Sequence, residues 1–280
     1  LIELEKNWLC VRPNSWIFHI IQNRLTEKQA IINAWVNTTS FQAINDLWDL
    51  KSVHSELWDW ILKTAKDGYD GKWQIRIYNE ADMEKAIEEL NWKELIYEKI
   101  VDYKMEVSVI IWRRPNWEIV AFEPAENIHQ DWILKTSITP ARIDKNIAIN
   151  AKKIAMQIAE SMWIEWLLAV EMFVLNDWNI LINEVAPRPH NSWHPTIESY
   201  NQSQYKILIK AILDEKFWKL KLNNRTRMNN LLWNDINLIP WRNASTPKQQ
   251  ITQIWNKRFY DYWKLETKSW RKMWHVTEIL

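Results

Sequence analysis

Glycine is nearly absent from this chain: its 280 residues hold only Gly68 and Gly71. Average usage is about 7%, or roughly 20 glycines in a chain of this length. Turns and helix ends that need φ > 0 must therefore be built from other residues. Cysteine is scarcer still. The single Cys10 excludes an internal disulfide and a cysteine-based zinc site, and suits a reducing, cytoplasmic setting. No apolar run approaches the ~20 residues of a membrane span, and no signal-peptide pattern is visible, so no membrane partner is expected. Net charge is also lacking, with 36 Lys and Arg against 35 Asp and Glu. That balance argues against a nucleic-acid binder acting through a bulk field, while leaving room for a local basic site.

What is abundant is tryptophan, at 22 residues. Tryptophan and glycine together approach the roughly 20 residues expected of glycine alone. The tryptophans also stand where glycine usually stands. Asn-Trp occurs at 7–8, 91–92 and 116–117, and Asp-Trp at 59–60, 131–132 and 177–178. These are turn dipeptides with Gly exchanged for Trp. A bulky residue in the left-handed region costs about 1–2 kcal/mol. About ten such sites would consume a domain's entire stability of roughly 5–15 kcal/mol. Some bacterial lineages read the UGA codon as glycine, and another code variant reads it as tryptophan. The pattern is that of a glycine protein translated with the second table, so most of these tryptophans are expected to be glycines in the native protein.

Apolar spacing predicts a helix over 14–34 with Asn14 or Ser15 as N-cap, and amphipathic helices at 80–90, 145–162 and 199–213. A strand–loop–strand unit is expected over 57–78, and strands at 95–101, 105–112 and near 118–123. A hairpin is expected over 169–185, and a small β-rich module over 220–280. This mixture points to an α+β architecture with several lobes.

The hairpin places its own chemistry. If Asp177 and Trp178 form a two-residue turn, both need φ > 0. Leu175 then faces Ile180, Phe173 faces Ile182, Val174 faces Leu181, Met172 faces Asn183, and Glu171 faces Glu184. Both faces are largely apolar, so the sheet is expected to be covered on both sides. Two carboxylates about 5 Å apart repel by about 3 kcal/mol at an effective dielectric near 20. An ordinary cross-strand pair contributes only about 0.2–1 kcal/mol. The pair therefore needs a shared proton or a cation, and hard carboxylate oxygens favour Mg²⁺. If the hairpin end is solvated instead, both side chains simply face water.

Three further stretches carry charge in suggestive places. ILKTAKDGYDGKWQIRI (61–77) sets Lys63 on a strand before a glycine-containing loop, whose amides can turn towards a phosphate; it is not a P-loop, and taken alone a solvated hairpin is the favoured reading. NEVAPRPHNSWH (183–194) brings Arg188, His190 and Asn191 together beside stiffening prolines. The Arg fork suits a small oxyanion such as bicarbonate; the alternative is a structural turn. The HExxH glutamate is absent and the prolines oppose helix, so His190 and His194 do not read as a zinc site. YDYWKLETKSWRKMWH (260–275) clusters Lys264, Lys268, Arg271 and Lys272, either a solvated basic hairpin or a phosphate site.

The stretches ILKTAKDGYDGKWQ, AENIHQDWILKTS, VEMFVLNDWNILINEVAPRPHNSWH and KSWRKMWH resemble, in order over nearly the whole chain, the N5-carboxyaminoimidazole ribonucleotide synthetase family of ATP-grasp enzymes. That family has glycine where this chain has Trp73, Trp132, Trp193, Trp270 and Trp274, which supports the recoding from an independent side. The resemblance implies an ATP-grasp fold, two α/β lobes clamping ATP, with a small C-terminal β-rich module. It implies residues 1–56 as the remnant of an N-terminal domain and a connecting helix, 57–112 as the lid lobe, 113–217 as the large lobe, and 218–280 as the C-terminal module. An α/β domain ahead of Leu1 is expected from it and is absent from the chain as given.

The resemblance also implies a reaction and its residues. ATP phosphorylates bicarbonate to carboxyphosphate, which carboxylates aminoimidazole ribonucleotide in purine biosynthesis. Arg24 and Lys63 are implied on the ATP phosphates. Gly68, Tyr69, Asp70, Gly71, Lys72, Trp73 and Gln74 are implied as the mobile lid, with Asp70 touching the ribonucleotide. Glu98, Lys99, Ile100 and Val101 are implied as the adenine hinge, Glu106 on the ribose, and His129 beside the nucleotide. Glu171 and Glu184 are implied as ligands of Mg²⁺ or Mn²⁺ with Asn183 beside them, Arg188, His190 and Asn191 as the bicarbonate site, and Lys264 and Arg271 as the cradle of the ribonucleotide phosphate. A homodimer is implied as well. Trp73 and Trp193 are expected to obstruct loop closure. Two readings compete: another ATP-grasp carboxylase or ligase, such as the formate-dependent glycinamide ribonucleotide transformylase or biotin carboxylase, and a catalytically inactive nucleotide-binding fragment.

Overall fold

The computed structural model describes residues 1–56, 60–66, 73–90, 94–115, 118–216, 219–238, 251–264, 266, 268 and 271–280. In chain order its elements are α1 (Ile2–Lys6), α2 (Ser15–Ile21), α3 (Arg24–Asn33), β1 (Phe41–Ile44), α4 (Leu47–Glu56), β2 (Trp60–Thr64), β3 (Gln74–Ile77), α5 (Glu80–Glu89), β4 (Leu95–Lys99), β5 (Tyr103–Arg113) and β6 (Ile119–Ala121). Then follow β7 (Ala125–Gln130), β8 (Ile133–Thr139), α6 (Lys145–Ser161), β9 (Leu167–Leu175), β10 (Ile180–Ala186), α7 (Thr196–Ser199), α8 (Gln204–Ile212), β11 (Thr226–Leu232), β12 (Ile251–Ile254), β13 (Lys257–Asp261) and β14 (Lys272–Ile279).

Two sheets organise these elements. The smaller runs β1-β4-β2-β3, and the larger runs β10-β9-β5-β7-β8-β11-β14-β13-β12, with β6 on β5. The smaller sheet is closed by α4 and α5. Asn79 caps α5 by accepting from the Asp82 amide, and Met83, Ala86, Ile87 and Leu90 then fall on one buried face. The larger sheet is covered by α6, capped by Asp144, whose buried face of Ala151, Ala155, Ile158 and Ala159 lets the helix approach the strands closely. The C-terminal strands extend this same sheet, because β11 pairs with β8 as well as with β14. No helix among the described residues is long and apolar enough to cross a membrane.

The helix expected over 14–34 is two helices. Asn14 caps the first, as expected, by accepting from the Ile17 amide. The chain breaks at Gln22–Asn23, where Asn23 turns extended and caps α3 by accepting from Leu25 N. A side chain that competes for backbone donors ends one helix and begins another. The helix expected over 199–213 likewise begins later, at Gln204, behind its cap Ser203.

The backbone gives the tryptophans their meaning. Among the described residues ten non-glycine residues have positive φ, and eight are Trp: 8, 35, 73, 132, 163, 178, 255 and 263; the others are Asp131 and Asp214. Trp8, Trp35 and Trp163 each follow the C-cap residue of a helix (Asn7, Ala34 and Met162) in the left-handed conformation. The paired bonds Trp35 N to Ile32 O with Val36 N to Ile31 O, and Trp163 N to Glu160 O with Ile164 N to Ala159 O, close Schellman motifs, a position normally given to glycine. Their rings are largely in solvent: Trp8 is 96% exposed, Trp35 92% and Trp163 63%, the last with the Arg113 guanidinium over its ring. Asp131 and Trp132 both have positive φ and join β7 to β8 in a two-residue turn, the geometry that selects Asp-Gly.

At 176–178 the expected two-residue turn is not formed. Trp178 N bonds Leu175 O and Leu175 N bonds Asn179 O, so the loop has three residues with only Trp178 left-handed, the glycine place of a G1 bulge. Register near the turn therefore shifts by one: Ile180 faces Val174, Leu181 faces Phe173 and Ile182 faces Met172. A second irregularity at Asn183 shifts it back, and Glu184 faces Glu171 as expected.

Candidate active site

The site is assembled where α3, β2 and β4 meet β9 and β10. Asn37 and Thr38 lie against β10: the Ile182 amide donates to Asn37 O at 2.9 Å, and Thr38 Oγ1 donates to Ile182 O at 2.8 Å. The Arg24 amide donates to Ala65 O at 2.9 Å, which pins the start of α3 to the loop after β2.

Glu171 and Glu184 sit side by side, and each already has a nitrogen partner within the protein. Arg24 Nη1 donates to Glu184 Oε2 at 3.0 Å, and His190 Nε2 lies 2.7 Å from Glu171 Oε1. Of the pair, Glu184 thus has the Arg24 guanidinium to offset its charge, while Glu171 has the His190 imidazole as its neighbour. Burial would raise the Glu184 pKa, yet Arg24, with help from His190 and Lys63, holds it below the ordinary value. Among the described residues no group of three acidic, histidine or cysteine side chains is arranged to hold a metal ion. The donor set still fits Mg²⁺: each carboxylate has a second oxygen, and this ion fills its shell with waters and substrate phosphates rather than an all-protein cage.

Lys63 extends from β2 with Gln74 directly opposite on β3. Its Nζ donates to Glu98 Oε2 at 3.2 Å. Burial, with Arg24 and Lys28 nearby, lowers the Lys63 pKa despite Glu98. Glu98 shows the reverse: burial pushes it up, but Lys63, Lys28 and Arg24 outweigh that and hold it at about 2. Its side chain is turned to these cations, and Lys99, Ile100 and Val101 follow it from β4 towards β5, with the Lys99 amide on Ser40 O at 3.0 Å. The shifted carboxyl makes a pH prediction. Its stabilisation is complete above its ordinary value of 4.5 and is lost as pH falls through about 2. Denaturant melts are expected to show a loss on the order of 3 kcal/mol across that window. The Glu98→Gln variant flattens this part of the profile; an unchanged profile contradicts the pairing.

Glu106 on β5 meets His129 on β7, and Tyr103 Oη donates to the same carboxylate. Burial would lower the His129 pKa, but Glu106 and Glu171 raise it. These two expected nucleotide residues therefore belong to one cluster.

Past β10, His190 Nδ1 meets Ser192 Oγ at 2.7 Å, and a 3-10 turn begins at Asn191. The Asn191 Nδ2 is buried and has no hydrogen-bond partner, a donor left for something else. Arg188 is exposed, reaching Pro189 O at 3.4 Å. The Trp193 ring of this loop is fully buried, donating to Ser108 Oγ at 3.0 Å. Lys264 Nζ donates to Lys272 O at 2.7 Å and Arg271 Nη1 to Glu266 O at 3.0 Å, both in the connection from β13 to β14. Residues Gly68, Tyr69, Asp70, Gly71 and Lys72 of the expected lid lie outside the described residues, as does Trp270.

Two functional candidates escaped the sequence reading. Glu27 and Lys28 stand three and four residues after Arg24, on the buried side of α3 with Ile31. Glu27 accepts from the Val185 amide, next to Glu184, and burial and Glu184 push its pKa up to about 8. Charged residues at i, i+3 and i+4 on the same face as a buried isoleucine were the available signal.

Residues 29–205 match the ATP-grasp domain family. The chain is 39% identical to an N5-carboxyaminoimidazole ribonucleotide synthase of Bacillus subtilis over 92% of its own length and 66% of that protein, and 34% identical to one of Staphylococcus aureus over 92% and 67%. It therefore spans about two thirds of the curated relatives it matches. A solved ADP complex of an N5-carboxyaminoimidazole ribonucleotide synthetase superposes with a TM-score of 0.89 at 35% identity, over 100% of this chain and 72% of that one. An Aspergillus clavatus synthase bound to ADP and 5-aminoimidazole ribonucleotide superposes with a TM-score of 0.85 at 25% identity, over 100% and 74%. With the fold, the paired glutamates and these relatives in agreement, the chain belongs to the N5-carboxyaminoimidazole ribonucleotide synthase family of ATP-grasp proteins.

Proposed function

We propose that this chain carries the ATP- and bicarbonate-dependent carboxylation of 5-aminoimidazole ribonucleotide to N5-carboxyaminoimidazole ribonucleotide. The observation that carries the reading is the four-residue arrangement Arg24–Glu184–Glu171–His190 on adjoining elements beside Lys63. Phosphoryl transfer is mainly positioning and charge neutralisation. Arg24 and Lys63 supply positive charge for the ATP phosphates, Lys99 to Val101 border the adenine, and Glu106 with His129 borders the ribose.

A bicarbonate oxygen attacks the γ-phosphorus, the bond to the β-bridging oxygen breaks, and ADP leaves with that electron pair. The resulting carboxyphosphate releases CO₂ and phosphate. The amine of the ribonucleotide attacks CO₂ and sheds a proton. Asn191 Nδ2, with Arg188 and His190, orients the bicarbonate. Lys264 and Arg271 hold the ribonucleotide phosphate. Glu171 and Glu184 would hold Mg²⁺ or Mn²⁺, which would add neutralisation of the phosphates. Carboxyphosphate is fragile in water, so the loop containing Gly68 to Gln74, with Asp70 on the ribonucleotide side, serves as the lid that excludes it. The assembly is proposed as a cytoplasmic homodimer.

Steady-state assays test the reading: ADP release is expected to require bicarbonate and to be stimulated by 5-aminoimidazole ribonucleotide. Stimulation by glycinamide ribonucleotide or biotin instead would move the chain to another ATP-grasp ligase. ATP binding without turnover would mark it as a nucleotide-binding chain only.

A further inference from the structure

Lys28 has no place in the reaction as set out, yet it is the most completely buried cation near the site, at 0% exposure. Its Nζ lies 2.6 Å from Thr39 Oγ1, 3.2 Å from Thr38 Oγ1, 3.2 Å from Asn183 O and 3.4 Å from Glu98 Oε2. One ammonium thereby touches the segment before β1, the bulged residue of β10 and the end of β4. The bulge at Asn183 aims its carbonyl off the regular ladder, and the ammonium receives it.

Glu98 Oε2 is shared by two ammonium groups, Lys28 and Lys63. They differ in freedom. The Lys63 side chain is 16% exposed, while Lys28 is wholly enclosed. The other oxygen, Glu98 Oε1, is buried with no hydrogen-bond partner, so this carboxylate depends on its cations for neutralisation. A buried carboxylate that loses its only cation is strongly destabilised. Were Lys63 the sole partner, it could not turn to a phosphate without incurring that cost.

We propose that Lys28 is a positioning residue: the fixed countercharge that keeps Glu98 neutralised while Lys63 leaves it for the phosphates of a bound nucleotide. The proposal rests on the reading of this site as a nucleotide site. Lys28 does not touch the nucleotide; it sets how readily Lys63 can.

Calorimetric titration of the 280-residue chain with ATP and with adenosine separates the two ideas. Wild type binds ATP. Lys28→Met is expected to weaken ATP by about tenfold or more, the scale of one charge-assisted hydrogen bond, and to leave adenosine affinity unchanged. Removing the orphaned charge as well, in K28M/E98Q, is expected to restore most of the ATP affinity. Equal loss of ATP and adenosine in K28M would mean a merely structural role and overturns the proposal, as does unchanged ATP affinity or failure of the double variant to recover. A wild-type chain that binds no ATP overturns the nucleotide reading itself. Should K28M fail to fold, lysine acetylation of the wild type decides. Of these two lysines only Lys63 is expected to be labelled, and to be protected by ATP, with Lys28 unlabelled throughout. Labelling of Lys28 in the presence of ATP, or an unprotected Lys63, sinks the idea.

Discussion

Glycine in place of Trp35, Trp132, Trp163 and Trp178 is expected to raise the unfolding free energy by roughly 4 kcal/mol, about 1 kcal/mol for each left-handed residue relieved. All four have φ between 54° and 69°, within the region that a Cβ disfavours. They lie in four separate connections: after α3, between β7 and β8, after α6, and between β9 and β10. Effects at separate sites add. For a chain of this size each kcal/mol moves the melting midpoint by about 2–4 °C, so the fourfold variant should melt roughly 8–16 °C higher. The usual objection to glycine is its conformational entropy in the unfolded state, about 0.5–1 kcal/mol relative to alanine. That penalty applies at these four positions too, but the left-handed strain relieved at each, about 1–2 kcal/mol, exceeds it. As a control, Trp60, buried inside β2 and outside the positive-φ set, should lose stability when changed to glycine. Equal destabilisation at all five positions would refute the glycine reading. A direct check is the intact mass of the protein isolated from its source cells, which the reading places well below the mass of the sequence as written.

The same turns show what the sequence revealed and what it hid. The exchange of Gly for Trp was visible in dipeptides such as Asp131-Trp132, whose two residues adopt the positive φ values of an Asp-Gly turn. At Asp177-Trp178 the same letters make a three-residue loop, because Asp177 gives its side chain to Asn179 and stays outside the left-handed region. Local composition does not distinguish those outcomes; the length of the flanking ladder does. The pairing of Glu171 with Glu184 was legible only because two irregularities cancel, the extra loop residue and the bulge at Asn183. Neither shows in the alternation of apolar residues. The break at Gln22–Asn23 was hidden by apolar spacing that continues through it, and the join of β11 to β8 by their separation of some ninety positions. Charged residues near conspicuous loops, such as Lys63 and His190, stood out. Glu27 and Lys28 did not, since a charged residue on an amphipathic helix is normally solvated, and only the packing of α3 against β10 encloses them.

Changing Glu184 to glutamine is expected to reduce bicarbonate-dependent ADP release on the order of 10²–10³-fold while leaving the fold nearly intact. Glutamine keeps the size of the side chain but cannot offer a charged oxygen to Arg24 or to a divalent ion. Arg24 would normally be stranded by such a change, since burial opposes its charge. Here Glu27 stands ready beside it. Glu184 is one of the two main causes, after burial, of the high Glu27 pKa of about 8. Removing that negative charge lets Glu27 ionise more readily and take over as the counterion of Arg24. The loss therefore falls on chemistry rather than on folding. Substituting Glu171 instead uncouples His190, whose Nε2 lies 2.7 Å from Glu171 Oε1, and should change the bicarbonate dependence more than the ATP dependence. Rates at saturating ATP and ribonucleotide, with thermal melts of the same samples, distinguish these effects. An E184Q protein that turns over near the wild-type rate would mean that the paired carboxylates on β9 and β10 are not where the phosphoryl group is transferred.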